Sequence, residues 1–396
     1  MKYLVVVGDG MADYPIKELG GKTPLQVANT PNMDEVAARG VSGTLKTIPE
    51  EMGAGSDVAN LSILGYDPRK YYTGRGPLEA ASIGVKMGSK DIAFRCNLIT
   101  EKDGKLADYC ADHISTEEAK KLIDTLNESY SEIGEFYAGV SYRHLFLLRE
   151  ADEDLICTPP HDVIGGTISD HLIKPRDNPI AEKLNDMILD SKNILSKHPI
   201  NIEREEKGKN PANMIWLWGQ GKRPQMETLF QKYGVKGAIV SAVDLIKGIG
   251  VYAGMSVINV PGATGYYDTN YEGKADYALK ALEDHDYVYV HVEAIDEAAH
   301  AGDLEMKIKT IEDFDRRLLG RVLDKLEGEY KIAVLPDHFT PIKVRTHIKT
   351  PVPFSIYSSI NEKDSVTEFN EIAAKSGRAG SLVGEEFMKL LLKKRP

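Results

Sequence analysis

Cysteine is scarce: Cys96, Cys110 and Cys157 are the only three in 396 residues. They are isolated and odd in number, which excludes a disulfide framework or a cysteine-rich zinc ribbon and leaves ordinary buried thiols. No apolar run approaches the roughly 20 residues needed to span a bilayer. The first residues, MKYLVVVGDG, hold one lysine and an apolar stretch too short for a secretory leader. Turn chemistry at Gly8 and Gly10 reads instead as the end of a first strand. The expected location is cytoplasmic, with no membrane partner. Basic residues are also in deficit: 49 Lys and Arg stand against 60 Asp and Glu, for a net charge of −11. Nucleic-acid binding leans on phosphate neutralisation by basic surface, so that class is disfavoured. A small anionic substrate in a local basic pocket is still allowed.

Two phosphate-binding fingerprints are missing as well. VVVGDGMAD begins like a dinucleotide motif, but Asp13 stands where the third glycine is needed. LGGKTP contains a Gly-Lys-Thr, but Ile16 replaces the first glycine of a phosphate loop. Both failures fall on positions with a physical job, close backbone approach and anion cradling.

What is present is an α/β pattern. YLVVVGD (3–9), SVINVPG (256–262), YVYVHVEAID (287–296) and KIAVLPDH (331–338) read as buried parallel strands. Helical periods over 274–284 and 304–328 precede the last two. This alternation predicts a doubly wound, mostly parallel sheet. Between about 90 and 240 the pattern changes to alternating strands, such as DIAFRCNLIT and HLFLLRE, and two long amphipathic helices. NPANMIWLWGQGKRPQ reads as a return towards the core. The organisation expected is a discontinuous core, 1–88 and 241–396, carrying an inserted α+β cap, 89–240.

Candidate ligands sit at the predicted strand ends. Asp9 closes the first strand. Asp296 follows the third, with His300 four residues later on one helical face. Asp337 and His338 close the fourth, and His347 follows in RTHIKTP. In a doubly wound sheet the carboxyl ends share one edge, and ligands bind there. Three aspartates and three histidines gathered on one edge are costly without cations. Adjacent Asp337 and His338 leave a strand to opposite sides and so can reach two ions. Two metals about 4 Å apart clamp an in-line phosphoryl displacement. Mixed carboxylate and imidazole ligands favour manganese or zinc over calcium.

The stretch GAGSDVANLSILGYD supplies a nucleophile. Ser56 is weak at its free pKa, and a divalent ion can hold its alkoxide. Small residues at 53–55 let a phosphate come close, and a following helix N-terminus favours its charge. As a purely structural residue, Ser56 would be a helix N-cap.

These segments, together with GGKTPLQVANTPNMDEVAARG, YYTGRGPLEAASIGV, AFRCNLIT, HVEAIDEAAHAGD and PDHFTPIKVRTHIKTPVPF, resemble the archaeal-type cofactor-independent phosphoglycerate mutases of the alkaline-phosphatase superfamily. The resemblance runs along most of the chain and is weakest over 115–210. It implies an alkaline-phosphatase-type core with two divalent ions. Manganese is expected, with zinc, cobalt or magnesium as alternatives, and no 2,3-bisphosphoglycerate. Asp9, Ser56, Asp337 and His338 would hold one ion; Asp296, His300 and His347 would hold the other. Ser56 would take the phosphoryl group of 3-phosphoglycerate and return it as 2-phosphoglycerate, with the cap closing over the substrate. His113 and Lys247 would assist catalysis. Arg143, His161, Asp162 and Arg223 would meet the substrate, the arginines through bidentate contacts to carboxylate and phosphate.

PDHFTPIKVRTHI departs from the mutase pattern towards a subgroup that includes homoserine kinases. The metal residues are untouched by this, but a homoserine-kinase-like phosphotransferase stays open as an alternative. A metal-dependent phosphatase, with water as acceptor, is the third reading. An inserted cap argues against it, because closure excludes water.

Overall fold

A computed structural model describes residues 1–151, 154–360 and 363–393. Among these residues the chain forms thirteen strands: β1 (Lys2–Gly8), β2 (Gly40–Lys46), β3 (Ile92–Lys102), β4 (Lys105–Asp108), β5 (Glu135–Tyr137), β6 (Arg143–Leu148), β7 (Met214–Lys222), β8 (Gly237–Val240), β9 (Ser256–Ile258), β10 (Tyr287–Val292), β11 (Tyr330–Leu335), β12 (Val352–Ser358) and β13 (Gly380–Val383). They fall into two compact units, Met1–Tyr72 with Gln225–Pro396, and Thr73–Pro224.

The first unit holds an eight-stranded sheet in the order β13-β2-β12-β11-β1-β10-β8-β9. Its centre is parallel: β1 pairs with β10 on one side and β11 on the other. These strands are runs of Val, Ile, Leu and Tyr because helices cover both sheet faces, so neither face needs polar residues. Only β12 runs antiparallel to its neighbours β11 and β2. The register sets Gly8 beside Val292 and Val7 beside Leu335. The residues that follow these three strands therefore leave the sheet at one edge. The long helical period near the C-terminus resolves into Leu304–Asp313, a wider π-helical segment Phe314–Gly320, and Arg321–Lys325.

In the second unit β3 lies between β6 and β7, with β4 and β5 at the margins, all antiparallel. Two helices, Thr116–Tyr130 and Pro179–Leu195, bury their apolar faces in its core. Ser115 and Asn178 cap their first turns by accepting backbone N–H bonds.

Three expectations need correction. The inserted unit spans 73–224 rather than 89–240. It starts sooner because the helix Arg75–Ser82 packs on β3 and β7. It ends sooner because β8 is hydrogen-bonded to β10 in the core sheet. The MIWLWGQGK run does not return to the core sheet; as β7 it pairs with β3. No described helix is long and apolar enough to cross a membrane.

Candidate metal and phosphoryl-transfer site

Asp9 leaves the end of β1 with its backbone N–H bonded to Val292 O at 2.9 Å. Gly10 then turns through a left-handed conformation, φ 61°. A β-carbon there would collide with the side chains of Asp296 and Thr340. The GDG sequence thus serves close packing of acidic side chains, not a dinucleotide. The Gly10 N–H is also bonded to Asp337 Oδ1 at 3.1 Å. The other false fingerprint is a helix start: Thr23 caps Pro24–Val27 through a reciprocal pair with Gln26.

Asp296 and His300 lie one turn apart on the helix Ala294–Ala301, as the spacing requires. His347 arrives from the loop after β11. The three donor atoms form a tight triangle: His300 Nε2 to Asp296 Oδ2 is 3.0 Å, His347 Nε2 to Asp296 Oδ2 is 3.3 Å, and the two Nε2 atoms are 2.9 Å apart. His300 Nδ1 donates to the Arg345 carbonyl at 2.9 Å, so Nε2 is the ring nitrogen that faces the triangle.

Beside it, His338 Nε2 lies 3.2 Å from Asp9 Oδ1, 3.5 Å from Asp337 Oδ2 and 3.1 Å from Ser56 Oγ. Ser56 is the first residue of the helix Ser56–Ile63, and Gly55 occupies the N-cap. The serine hydroxyl is therefore free of capping duty. It stands where the N-terminal backbone amides favour negative charge. Asp337 and His338 stand 3.5 Å apart at their nearest donor atoms. They fall in different donor groups, Asp9–His291–Asp337 and Asp9–Asp296–His338, which share Asp9.

The electrostatics ask for cations. Asp9, Asp296 and Asp337 are almost wholly buried. Burial, then the charges of Asp337, Asp296 and Glu293, push the Asp9 carboxyl well above its usual range. Burial would raise Asp296 too, but hydrogen bonds from His300 and His347 hold it well below. Bonding to Asp296 lifts His300 to about 9, against the cost of burial. Burial lowers His338. Asp9 Oδ1 has no hydrogen-bond partner. Buried carboxylate and imidazole donors that converge, with Asp9 Oδ1 left unbonded, fit divalent transition metals.

Sequence reading missed the groups that orient these ligands. Asn60, one turn past Ser56, donates to Asp337 Oδ2 at 2.8 Å and to the Ser56 carbonyl at 2.7 Å. Its own oxygen accepts from the Tyr289 hydroxyl. Thr340 accepts from His338 Nδ1 at 3.1 Å and donates to Asp296 Oδ1 at 2.6 Å. The Thr340 carbonyl is held by buried Lys307, which also pairs with Asp13 at 3.0 Å. A buried Asn one helical turn from a nucleophile was the available signal. Lys247 lies on Asp244–Tyr252, 3.6 Å from Asp244, and belongs to none of the donor groups.

The second unit carries its own cluster. Arg95 is buried on β3, 3.1 Å from Glu79, with its guanidinium 4.9 Å from the Trp218 ring. Arg75 approaches the same ring at 5.7 Å. The Nε of each is buried with no hydrogen-bond partner. Burial, with Arg75 and Arg143 adding to it and Glu79 opposing, lowers the Arg95 guanidinium. His161 packs edge-on to Trp218 at 5.3 Å, and Tyr109 links it to Tyr142. His113 and Arg143 both approach Tyr142. His113 ends three consecutive left-handed residues, Ala111, Asp112 and His113. That turn is held by Asp108, which accepts from the Cys110 and Asp112 amides, and by Arg204, bonded to the Ala111 carbonyl. Left-handed non-glycine residues cost energy and gather at functional sites. Of the expected residues, His113, Arg143 and His161 are brought together here. Exposed Asp162 stands 3.7 Å from His161, while Arg223 lies exposed past β7, outside these contacts. Arg75 and Arg95 were missed. A charge inside the apolar run AFRCNL was the clue, since buried arginine demands a partner.

The 2,3-bisphosphoglycerate-independent phosphoglycerate mutase family profile matches residues 37–201. The 2,3-bisphosphoglycerate-independent phosphoglycerate mutase 2 of Methanothermobacter thermautotrophicus is 54% identical, covering 99% of this chain and 97% of that one. The 2,3-bisphosphoglycerate-independent phosphoglycerate mutase of Methanosarcina acetivorans is 53% identical over 99% of this chain and 100% of its own. Among solved structures, the cofactor-independent phosphoglycerate mutase of Thermoplasma acidophilum superposes with a TM-score of 0.70 at 29% identity, covering 99% of each chain.

Proposed function

The chain belongs to the 2,3-bisphosphoglycerate-independent phosphoglycerate mutases, and on that premise we propose how its residues move the phosphoryl group. The enzyme interconverts 3-phosphoglycerate and 2-phosphoglycerate without 2,3-bisphosphoglycerate. This favours the mutase over the homoserine-directed phosphotransferase or a simple phosphatase. The observation that carries the proposed mechanism is the Ser56 hydroxyl, uncapped at a helix start and 3.1 Å from His338 Nε2 among buried acidic donors.

In the proposed assignment, Asp9, Ser56, Asp337 and His338 hold one divalent ion and Asp296, His300 and His347 hold a second, manganese being the expected metal. Such ions supply Lewis-acid stabilisation of the serine alkoxide and of charge on the transferring group. Ser56 Oγ attacks phosphorus in line with the C3 oxygen. The C3–O–P linkage breaks at the P–O bond, and a proton delivered to the departing oxygen completes the glycerate hydroxyl. His113, held by its strained turn, is the candidate for this proton transfer, with His161 and Asp162 as the alternative pair. The glycerate then turns, its C2 hydroxyl loses a proton to the same group, and that oxygen attacks phosphoserine. Ser56 is regenerated, so atoms balance with no external acceptor. Arg143, Arg75 and Arg95 take the substrate's anionic groups, the last two because they carry unpaired buried N–H donors. Lys247 and Arg223 are proposed as weaker phosphate and carboxylate contacts.

The test is to quench the manganese-loaded enzyme during turnover and map phosphate by peptide mass spectrometry. Phosphate on the Ser56 peptide is expected. A phosphoryl group that passes from 3- to 2-phosphoglycerate with Ser56 never labelled would replace the serine by direct transfer.

A further inference from the structure

β10 reads YVYVHV, a strand buried along its whole length with β1 and β8 on either side. His291 is the polar exception in that run, and its side chain is 0% exposed. Neither ring nitrogen has a hydrogen-bond partner. Leaving a buried polar atom unbonded costs about 1–3 kcal/mol, so an imidazole with two such atoms calls for a reason. His291 Nε2 lies 3.1 Å from Asp9 Oδ2, yet the approach lacks hydrogen-bond alignment. The opposite oxygen of the same carboxylate, Oδ1, is unbonded too and faces His338. Asp337 completes the group: donor atoms of Asp9, His291 and Asp337 all lie within 4.8 Å of one another. Asp337 cannot swing away to bond the imidazole. Its Oδ1 already accepts from the Gly10 and His338 amides, and its Oδ2 accepts from Asn60.

Two donors each about 2.1 Å from one ion, at right angles, stand about 3 Å apart. The Asp9–His291 separation has that value without being a hydrogen bond. We propose that His291 is a further ligand of the metal centre, giving Nε2 to the ion that Asp9 and Asp337 hold. This rests on the reading of Asp9 and Asp337 as metal ligands. It makes the Asp9 carboxylate a bridge between two imidazoles, His338 on one oxygen and His291 on the other. It also gives a reason for a histidine in an otherwise apolar central strand.

The test is metal binding, not turnover. Metal-free wild type and His291→Phe are titrated with manganese, free ion being read by electron paramagnetic resonance. Wild type should bind two ions, and His291→Phe should bind one of them weaker by about tenfold or more. His291→Gln, which keeps a weaker oxygen donor at similar reach, should fall between. Unfolding in chelator checks that each variant is folded. A His291→Phe protein that binds two ions with unchanged affinity overturns the proposal. The second measurement needs no change at His291. In a His300→Ala/His347→Ala protein loaded with manganese, nitrogen hyperfine couplings count the imidazoles on the remaining ion. Two, from His338 and His291, are expected; one overturns the proposal. Wild type that binds no manganese overturns the two-ion reading beneath it, and is told apart by that first titration.

Discussion

Asp9, Asp296 and Asp337 are buried together at one edge of the larger unit, within reach of His291, His300, His338 and His347. The smaller unit gathers the opposite sign. Arg95 is buried and Arg75 half-buried around Trp218, and Glu79 pairs with Arg95 there. Each cluster is incomplete alone, since uncompensated buried charge is expensive. In the proposed reading a cation completes the first and an anion completes the second. A mutase needs both. It stabilises a transferring phosphoryl group with cations, and it keeps hold of the glycerate while that group is away. The larger unit also builds its site on strand ends and helix starts, where backbone geometry is rigid. The smaller one also sets its arginines on a helix start and on strands β3 and β6, and adds His113 in a strained left-handed turn.

The sharpest way to break this division is at the nucleophile. Ser56→Ala should lower turnover by about 10³-fold or more, because the proposed route passes the phosphoryl group through this hydroxyl. The fold should survive, as one small side chain at a helix start is lost and no core volume. An enolase-coupled assay reads the rate; activity within tenfold of wild type would move the chemistry away from this unit.

Chelation comes next and should affect the two units unequally. Removing an ion held at about 100 times its dissociation constant costs about 2.7 kcal/mol. Activity should vanish and return best with manganese. Hydrogen exchange should quicken around the ends of β1, β10 and β11 while β3, β6 and β7 keep their protection. Equal loosening of both units would mean that the cations do not belong to the larger one.

Thr340→Val probes how the ligands are oriented. It removes the hydroxyl that joins His338 to Asp296, so manganese affinity should fall by about 10–100-fold with little change in KM. In the smaller unit, Arg75→Ala should do the reverse. KM for phosphoglycerate should rise about tenfold or more through a lost charged contact, with metal content unchanged. Measured together, the two variants show whether cation and anion duties are separable.

The smallest effect expected is the part of the pH response that His144 of the smaller unit contributes. His144 is buried on β6, where it accepts from the Gly139 amide at 3.1 Å. Burial, with Arg95 nearby, pushes its imidazole down to about 3. The unfolded chain takes up a proton near the ordinary value of about 6.5 that the folded chain refuses. Stability is therefore full above that value and is lost as pH falls towards 3, by about 1 kcal/mol per unit once well inside the window. Denaturant unfolding of wild type and His144→Gln between pH 7 and 5 checks this. A His144→Gln protein that loses as much stability between pH 7 and 5 as wild type would remove His144 from the account.

Much of this protein is local enough to be legible in the chain. Valine-rich runs ending in Asp9 or in Asp337–His338 announce strands with ligands at their tips. The four-residue step from Asp296 to His300 places both on one helical face before any tertiary contact is known, because helical geometry depends only on neighbours. What the chain could not announce depends on partners far apart in it. Gly10 bonds Asp337 across 327 positions, and Asn60 bonds the same carboxylate across 277. Strands β2 and β13 hide because Gly and Ser interrupt their apolar pattern. Which donors stand together, the place of Asp9 between His338 and His291, the linkage through Thr340 and the unpartnered imidazole of His291 were decided only when the three central strands fell into register. Residue types and their local spacing set which atoms can bind a cation, whereas packing sets which of those atoms stand about 3 Å apart, and coordination depends on that distance.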